Sequence, residues 1–198
     1  SLNPILQSFQ ETVNNYDIDR KLIDQFLHSM SMDLHKVDYN SELYNEYIYG
    51  SAEVVGLMCL QVFAEGNRKQ FDELKPYAMK LGSAFQKINF LRDLKEDYQT
   101  LGRSYFPNVD MELFDTNIKY QIEKEIADEF AEALIGIKKL PNSSKFGVYL
   151  AYKYYLLLFS KIKKKSPLEI LSNRTRVPNA QKAYVAFKSY LRYKAAVL

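Results

Sequence analysis

The sequence predicts an all-α protein, an antiparallel helical bundle, and three observations carry that prediction. Glycine and proline, the strongest interrupters of helices, number only 7 and 6 in 198 residues. Apolar residues recur at three- and four-residue spacing over long stretches, the period of a helix turning one face to a core. Pro107, Pro141, Pro167 and Pro178 fall between those stretches, where helices end.

Taken in order, the first clear element covers 19–34, with Leu22, Ile23, Phe26, Leu27 and Met30 at helical spacing. A second helix covers 41–65, and a third covers 68–98 with room for a bend at Pro76. A loop holding Gly102, Pro107 and Asn108 follows, then a short turn at 110–115. The fourth helix is expected over 117–140 and the fifth over 145–164, separated by Pro141 and Asn142. Pro167 and Pro178 bracket a segment with one short helical turn, and the last helix runs over 178–195. No repeat, low-complexity tract or linker divides the chain, so residues 1–198 read as one domain. A chain of this size buries a full core without disulfide or metal scaffolding. Sixteen Tyr and 12 Phe, with no Trp, imply a bulky interior or a large apolar pocket. Bundles of this kind build ligand sites from side chains on facing helices.

Composition excludes several classes. A net charge of +3 is too small to argue for a nucleic-acid partner. His28 and His35 have no cysteine or second histidine at zinc-ligand spacing. Cys59, the single cysteine, rules out an internal disulfide, fits a reducing, cytoplasmic setting and reads as a small buried hydrophobe. No apolar run is long enough to span a bilayer, and the opening Ser-Leu-Asn-Pro lacks signal-peptide character. The first residue is not Met, which points to a removed tag or to a start inside a longer protein. No phosphate-cradling glycine loop and no dinucleotide fingerprint is present.

The most informative stretch is Leu81–Pro107. On a helix, with Gln86 at zero, Asn89, Asp93 and Asp97 fall at roughly −60°, −20° and +20°. Two carboxylates and two carboxamides therefore share one stripe, while Phe85, Ile88, Leu91 and Leu94 supply core contacts. Aligned acids weaken a helix slightly, and a divalent cation would offset that. Mg²⁺ is typically met by one or two carboxylates together with substrate phosphates. A solvated acidic face is the alternative. The segment Tyr47–Met58 holds Gly50 and Gly56 inside a helix, each costing about 1 kcal/mol against alanine. Close helix packing explains them, as does room for a long apolar ligand beside Tyr47, Ser51, Val54 and Met58, which share a face on regular helix geometry. Arg103 is placed to reach a phosphate or to pair with Glu96 or Asp97. Arg174 and Arg176 lie in a basic C-terminal region suited to an anionic ligand, whereas Lys163–Lys165 read as solvated surface.

These segments also resemble a known family. Tyr-Ile-Tyr-Gly-Ser-Ala-Glu-Val-Val-Gly-Leu-Met at 47–58, the run from Leu81 to Asp97, and Gly-Arg-Ser-Tyr-Phe-Pro at 102–107 resemble the squalene and phytoene synthases in order and spacing. Met32-Asp33-Leu34, Tyr155 and the Arg176-Val177 step fit as well. The resemblance implies a trans-isoprenoid synthase fold that joins two prenyl diphosphates head to head, through a cyclopropyl intermediate, after magnesium-assisted loss of diphosphate. It implies that Asp93, Asp97 and Asn89 hold Mg²⁺ and that Gln86 lines the same site. Arg92 and Arg176 would contact diphosphate, and Ser51, Val54 and Val55 would lie along the substrate. Tyr47 and Tyr155 would stand near the reacting carbons as catalytic groups, together with Asp93 and Asp97. The implied reaction is phytoene formation from twenty-carbon geranylgeranyl diphosphate, a step of carotenoid biosynthesis. Squalene or dehydrosqualene formation from the fifteen-carbon substrate, or a non-catalytic assembly factor of the same fold, are the alternatives. The family carries two aspartate-rich motifs, and only the second is found here. Asp17, Asp19 and Asp24 do not replace the first, so N-terminal helices are expected to be absent and the chain alone to be inactive. Glu53 stands where a small residue is expected. A prenyl diphosphate is the expected partner, with peripheral membrane association and an open oligomeric state.

Overall fold

The computed structural model describes residues 2–35, 39–100, 105–107 and 114–195. Among them the order is α1 (Pro4–Asn15), α2 (Arg20–Met32), α3 (Ser41–Ile48), a π-helical turn (Tyr49–Glu53), α4 (Val54–Phe63) and α5 (Arg68–Lys95). A second π-helical turn (Glu96–Thr100), α6 (Thr116–Lys139), α7 (Asn142–Lys163), α8 (Pro167–Ser172) and α9 (Asn179–Lys194) complete it. No strand occurs among the described residues. Gly102, Arg103, Asn108 and most of the expected 110–115 turn lie outside them.

The helix starts follow local chemistry. The Asp115 carboxylate accepts from Asn117 N and Ile118 N at 2.9 and 2.8 Å, satisfying two of the donors a helix leaves free at its start. Ser166 and Glu169 form a reciprocal capping box at α8. Helix α1 was not expected. Asn3 caps it, accepting from Ile5 N and Leu6 N, and Pro4 opens it. Its apolar residues Ile5, Leu6 and Phe9 remain exposed, so it owes little to core packing.

The 41–65 stretch is not one regular helix. At its centre Val54 N donates to the Tyr49 carbonyl, five residues back, and this wider turn rotates everything after it relative to what precedes it. The shared face drawn from Tyr47 through Ser51 and Val54 to Met58 on regular geometry is therefore broken. Both inner glycines are explained by close approach: a Cβ on Gly50 would lie 1.9 Å from Ser29 Oγ, and one on Gly56 would lie 2.8 Å from the Ala78 carbonyl oxygen.

Helix α5 runs unbroken through Pro76 and packs against α3, α4, α6, α7 and α8. Around its C-terminal half Tyr44, Tyr47, Phe90, Tyr105 and Phe106 form an aromatic core, with Phe90 and Tyr105 stacked at 4.3 Å. Around its N-terminal half Leu57, Leu60, Phe71, Leu74 and Leu140 form a second cluster. Between α5 and α6 lies a buried ionic group. Lys87, only 4% exposed, donates to Glu129 at 2.8 Å and to Glu125. Ser83 Oγ donates to the same Glu129 oxygen at 2.9 Å.

Candidate active site

Two concavities adjoin the same side of α5. The larger, about 630 Å³, is bordered by α4, α5, α6 and α7. Val55, Leu81, Phe85, Ile137 and Ala151 make its wall apolar, and Ser51 and Gln86 belong to the lining. The Ser51 hydroxyl is buried with no hydrogen-bond partner. Cys59 also lines this groove and is exposed, which corrects the expectation of a buried residue. The wall around it still pushes its thiol pKa up through desolvation. Val54 is fully buried and is not among the lining residues.

The second concavity, about 500 Å³, is cationic. Arg92, Arg174, Arg176 and Lys182 line it with Tyr154, Tyr155 and Thr175, and the described lining holds no carboxylate. Thr175 Oγ1 is buried there without a hydrogen-bond partner. Between the two concavities Phe85 and Tyr155 stack at 3.8 Å, and the Tyr155 hydroxyl donates to Asn89 Oδ1 at 3.3 Å. Along α5, Gln86 lines the apolar groove and Arg92 the cationic hollow, while Asp93 borders a third, smaller concavity with Arg92, Lys95, Glu96 and Arg174.

Asp93 sits at the polar end, its side chain 21% exposed. Arg92 Nε donates to both its oxygens, at 3.0 and 3.1 Å, and Arg174 Nε lies 2.7 Å from Oδ1. Hydrogen bonding to Asp93 raises the Arg92 pKa, and the charge of Asp97 adds to that rise. Asp97 itself lies in the second π turn, one turn beyond Asp93.

Tyr47 is placed differently. It is buried in the aromatic core, and its hydroxyl donates to Asp33 Oδ2 at 2.9 Å. Burial first, then Tyr105 and Asp33, push its pKa far above the ordinary phenol value. It stays a neutral donor throughout the working pH range. The Tyr105 hydroxyl approaches the other Asp33 oxygen at 3.5 Å, so Asp33 anchors two phenols. Sequence reasoning gave no role to Asp33 and none of this reach to Arg174. The Met-Asp-Leu step and the pairing of Arg174 with Arg176 were the available signals.

The donor chemistry decides how a magnesium ion fits. Asp93, Asp97 and Asn89 offer hard oxygens, yet no group of three or more His, Cys, Asp or Glu among the described residues is arranged to hold a metal. Such a set does not make a closed cage. It suits a cation shared between one or two carboxylates and the oxygens of an anionic ligand, beside the arginines that meet Asp93 here.

This all-α architecture occurs in solved proteins. A dehydrosqualene synthase determined in complex with ligand superposes with a TM-score of 0.82 at 20% identity, over 98% of this chain and 72% of that one. YisP from Bacillus subtilis gives 0.75 at 21% identity, over 92% and 76%. The chain belongs to the squalene/phytoene synthase family, whose sequence model matches residues 1–181. Phytoene synthase 3 of Zea mays is 28% identical over 93% of this chain and 47% of its own length. Phytoene synthase 2 of Solanum lycopersicum is 31% identical over 90% and 60%. The 4,4'-diapophytoene synthase of Staphylococcus haemolyticus is 27% identical over 61% and 41%. The chain spans about half the length of the curated relatives it matches.

Proposed function

We propose that the whole protein condenses two prenyl diphosphates head to head, with geranylgeranyl diphosphate as substrate and phytoene as product. One observation carries this reading: an apolar groove lined by Phe85 and a four-cation hollow lined by Tyr155 lie on either side of the Phe85–Tyr155 stack. A ligand with a long hydrocarbon tail and a polyanionic head matches that arrangement in charge and in polarity.

In this reading Arg92, Arg174, Arg176 and Lys182 hold the diphosphate, and Tyr155 and Asn89 stand at the junction of head and chain. Asp93, Asp97 and Asn89 would hold Mg²⁺. The ion supplies charge that stabilises the departing diphosphate. The C1–O bond of one substrate breaks, and its electron pair leaves with the diphosphate. The allylic cation left behind is attacked by the double bond of the second substrate, and the resulting cation loses a proton as the cyclopropane closes. Departure of the second diphosphate with loss of another proton gives the hydrocarbon. Phe85 and Tyr155, stacked on one another at 3.8 Å, are the aromatic groups at the junction, where a ring face would attract positive charge. The apolar lining, with Ser51 and Val55 along it, keeps water from the cation. Tyr47, held as a hydrogen-bond donor to Asp33, acts by positioning rather than as a base.

Fifteen-carbon substrates, giving squalene or dehydrosqualene, are the second reading within the same chemistry. Because product and substrate tail are hydrocarbon, we further propose that the protein works in peripheral contact with a membrane on the cytoplasmic side. No helix among the described residues is long and apolar enough to cross a bilayer. The test is product analysis of the full-length protein with fifteen- and twenty-carbon diphosphates, with and without Mg²⁺. Magnesium-dependent release of diphosphate with a phytoene product supports the reading. Absence of release from either substrate favours a non-catalytic scaffold instead.

A further inference from the structure

Four glycines line the apolar groove: Gly56, Gly82, Gly136 and Gly147. Three of them are glycine because a neighbour leaves no room. A Cβ would lie 2.8 Å from the Ala78 carbonyl oxygen at Gly56, 2.6 Å from the Ala52 carbonyl oxygen at Gly82, and 2.3 Å from Tyr77 Cβ at Gly136. Gly147 differs. A Cβ there would meet nothing within 4 Å, in the interior of α7, where glycine is the costlier choice against alanine. Neither packing nor a positive φ explains the missing side chain. What it leaves is open space at an exposed position of the groove lining.

Its height in the groove follows from the helix rise. Tyr155 meets Asn89 at the head-group end, and Gly147 lies eight residues down α7 from Tyr155, about 12 Å at 1.5 Å per residue. The same count down α5 from Asn89 reaches Leu81. Lining residues continue beyond that level to Leu74 on α5, Phe63 on α4 and Leu140 after α6. A side chain at 147, an exposed position of the groove lining, would therefore stand at the groove partway down, with the far end still below it.

The geometry points to Gly147 as a determinant of prenyl chain length: its bare backbone leaves the lower groove open to the last five-carbon unit of a long substrate. This inference rests on the proposed function and adds the residue that sets tail length. The test uses the full-length protein with Gly147→Ala and Gly147→Leu, each checked for helical content and thermal unfolding against the unsubstituted protein. Relative kcat/KM is measured for fifteen- and twenty-carbon diphosphates, alongside binding of the matching unreactive thiodiphosphates. Gly147→Leu is expected to lower the twenty-carbon to fifteen-carbon ratio at least tenfold, in turnover and in binding. Gly147→Ala, which favours the helix, is expected to lower it about twofold and carries the test if the leucine variant does not fold. A folded variant with an unchanged ratio overturns the assignment of Gly147 alone. An unsubstituted protein that neither binds nor converts either compound overturns the proposed function.

Discussion

Replacing Lys87 with methionine removes the cation from the buried group between α5 and α6 while keeping most of its volume. Glu129, 5% exposed, would retain Ser83 Oγ at 2.9 Å and the half-exposed Lys80 ammonium at 3.8 Å. Its Oε2 already lacks a partner. Breaking a buried ion pair from one side costs about 3–5 kcal/mol, because the remaining charge is left uncompensated. Lys80 offsets part of that, so Lys87→Met should cost about 3 kcal/mol, the low end of that range. In urea, with a slope of about 3 kcal/mol/M, the midpoint should fall by about 1 M. Pairing it with Glu129→Leu should recover more than half of the loss, since apolar replacement of both partners is often close to neutral. A single-variant shift below about 0.3 M on the same urea scale would refute the reasoning, because the charge would then have found water or another partner.

The remaining expectations concern protons, thiols and phosphates. Glu53 has its pKa raised by burial first and by the charge of Glu129 second. The folded state therefore holds a proton that the unfolded chain releases, and stability falls as pH rises from the ordinary carboxylate range through the raised value. Glu53→Gln should abolish that fall, leaving acid stability unchanged and raising stability at neutral pH; parallel stability–pH curves for the two proteins would contradict it. Cys59 lines the groove with a raised thiol pKa, so a maleimide should label it slowly, and a saturating prenyl thiodiphosphate should slow labelling at least fivefold more. Equal labelling rates with and without the ligand would remove the tail from that groove. Arg176→Ala should weaken inorganic pyrophosphate binding by about 1.5–3 kcal/mol, the value of a hydrogen bond to a charged group. Titration calorimetry showing undiminished affinity would exclude Arg176 from the anion site.

Much of the architecture was legible because a 3.6-residue period survives wherever a helix faces a core. The stretch over 68–98 was read as a helix, and α5 with its π turn occupies it. Gln86 lines the apolar groove, whereas Asp93 lies in a smaller concavity with Arg92, Lys95, Glu96 and Arg174 rather than in the cationic hollow. Helix α1 escaped notice because its apolar residues cover little core. Neither π turn could be read, since one residue of extra rotation leaves no compositional mark, yet both fall within the motif segments. Cys59 was placed in the interior on residue type alone, whereas an open groove exposes it. Lys87 and Glu129 look like surface charges in the sequence. Only the meeting of α5 and α6 reveals that they bury each other. Arg174 likewise reaches Asp93 across 81 positions of sequence, a distance that local spacing cannot convey.

The central claim is that the Asp93 end of α5 works on a diphosphate through magnesium. The most direct measurement is pyrophosphate release from geranylgeranyl diphosphate by the full-length protein and its Asp93→Asn variant, each titrated with Mg²⁺. The expected result is release that requires the ion in the parent protein, and a loss of at least a hundredfold in the variant, about 2.7 kcal/mol of transition-state stabilisation. Release that proceeds equally well without magnesium, or undiminished in Asp93→Asn, would contradict it.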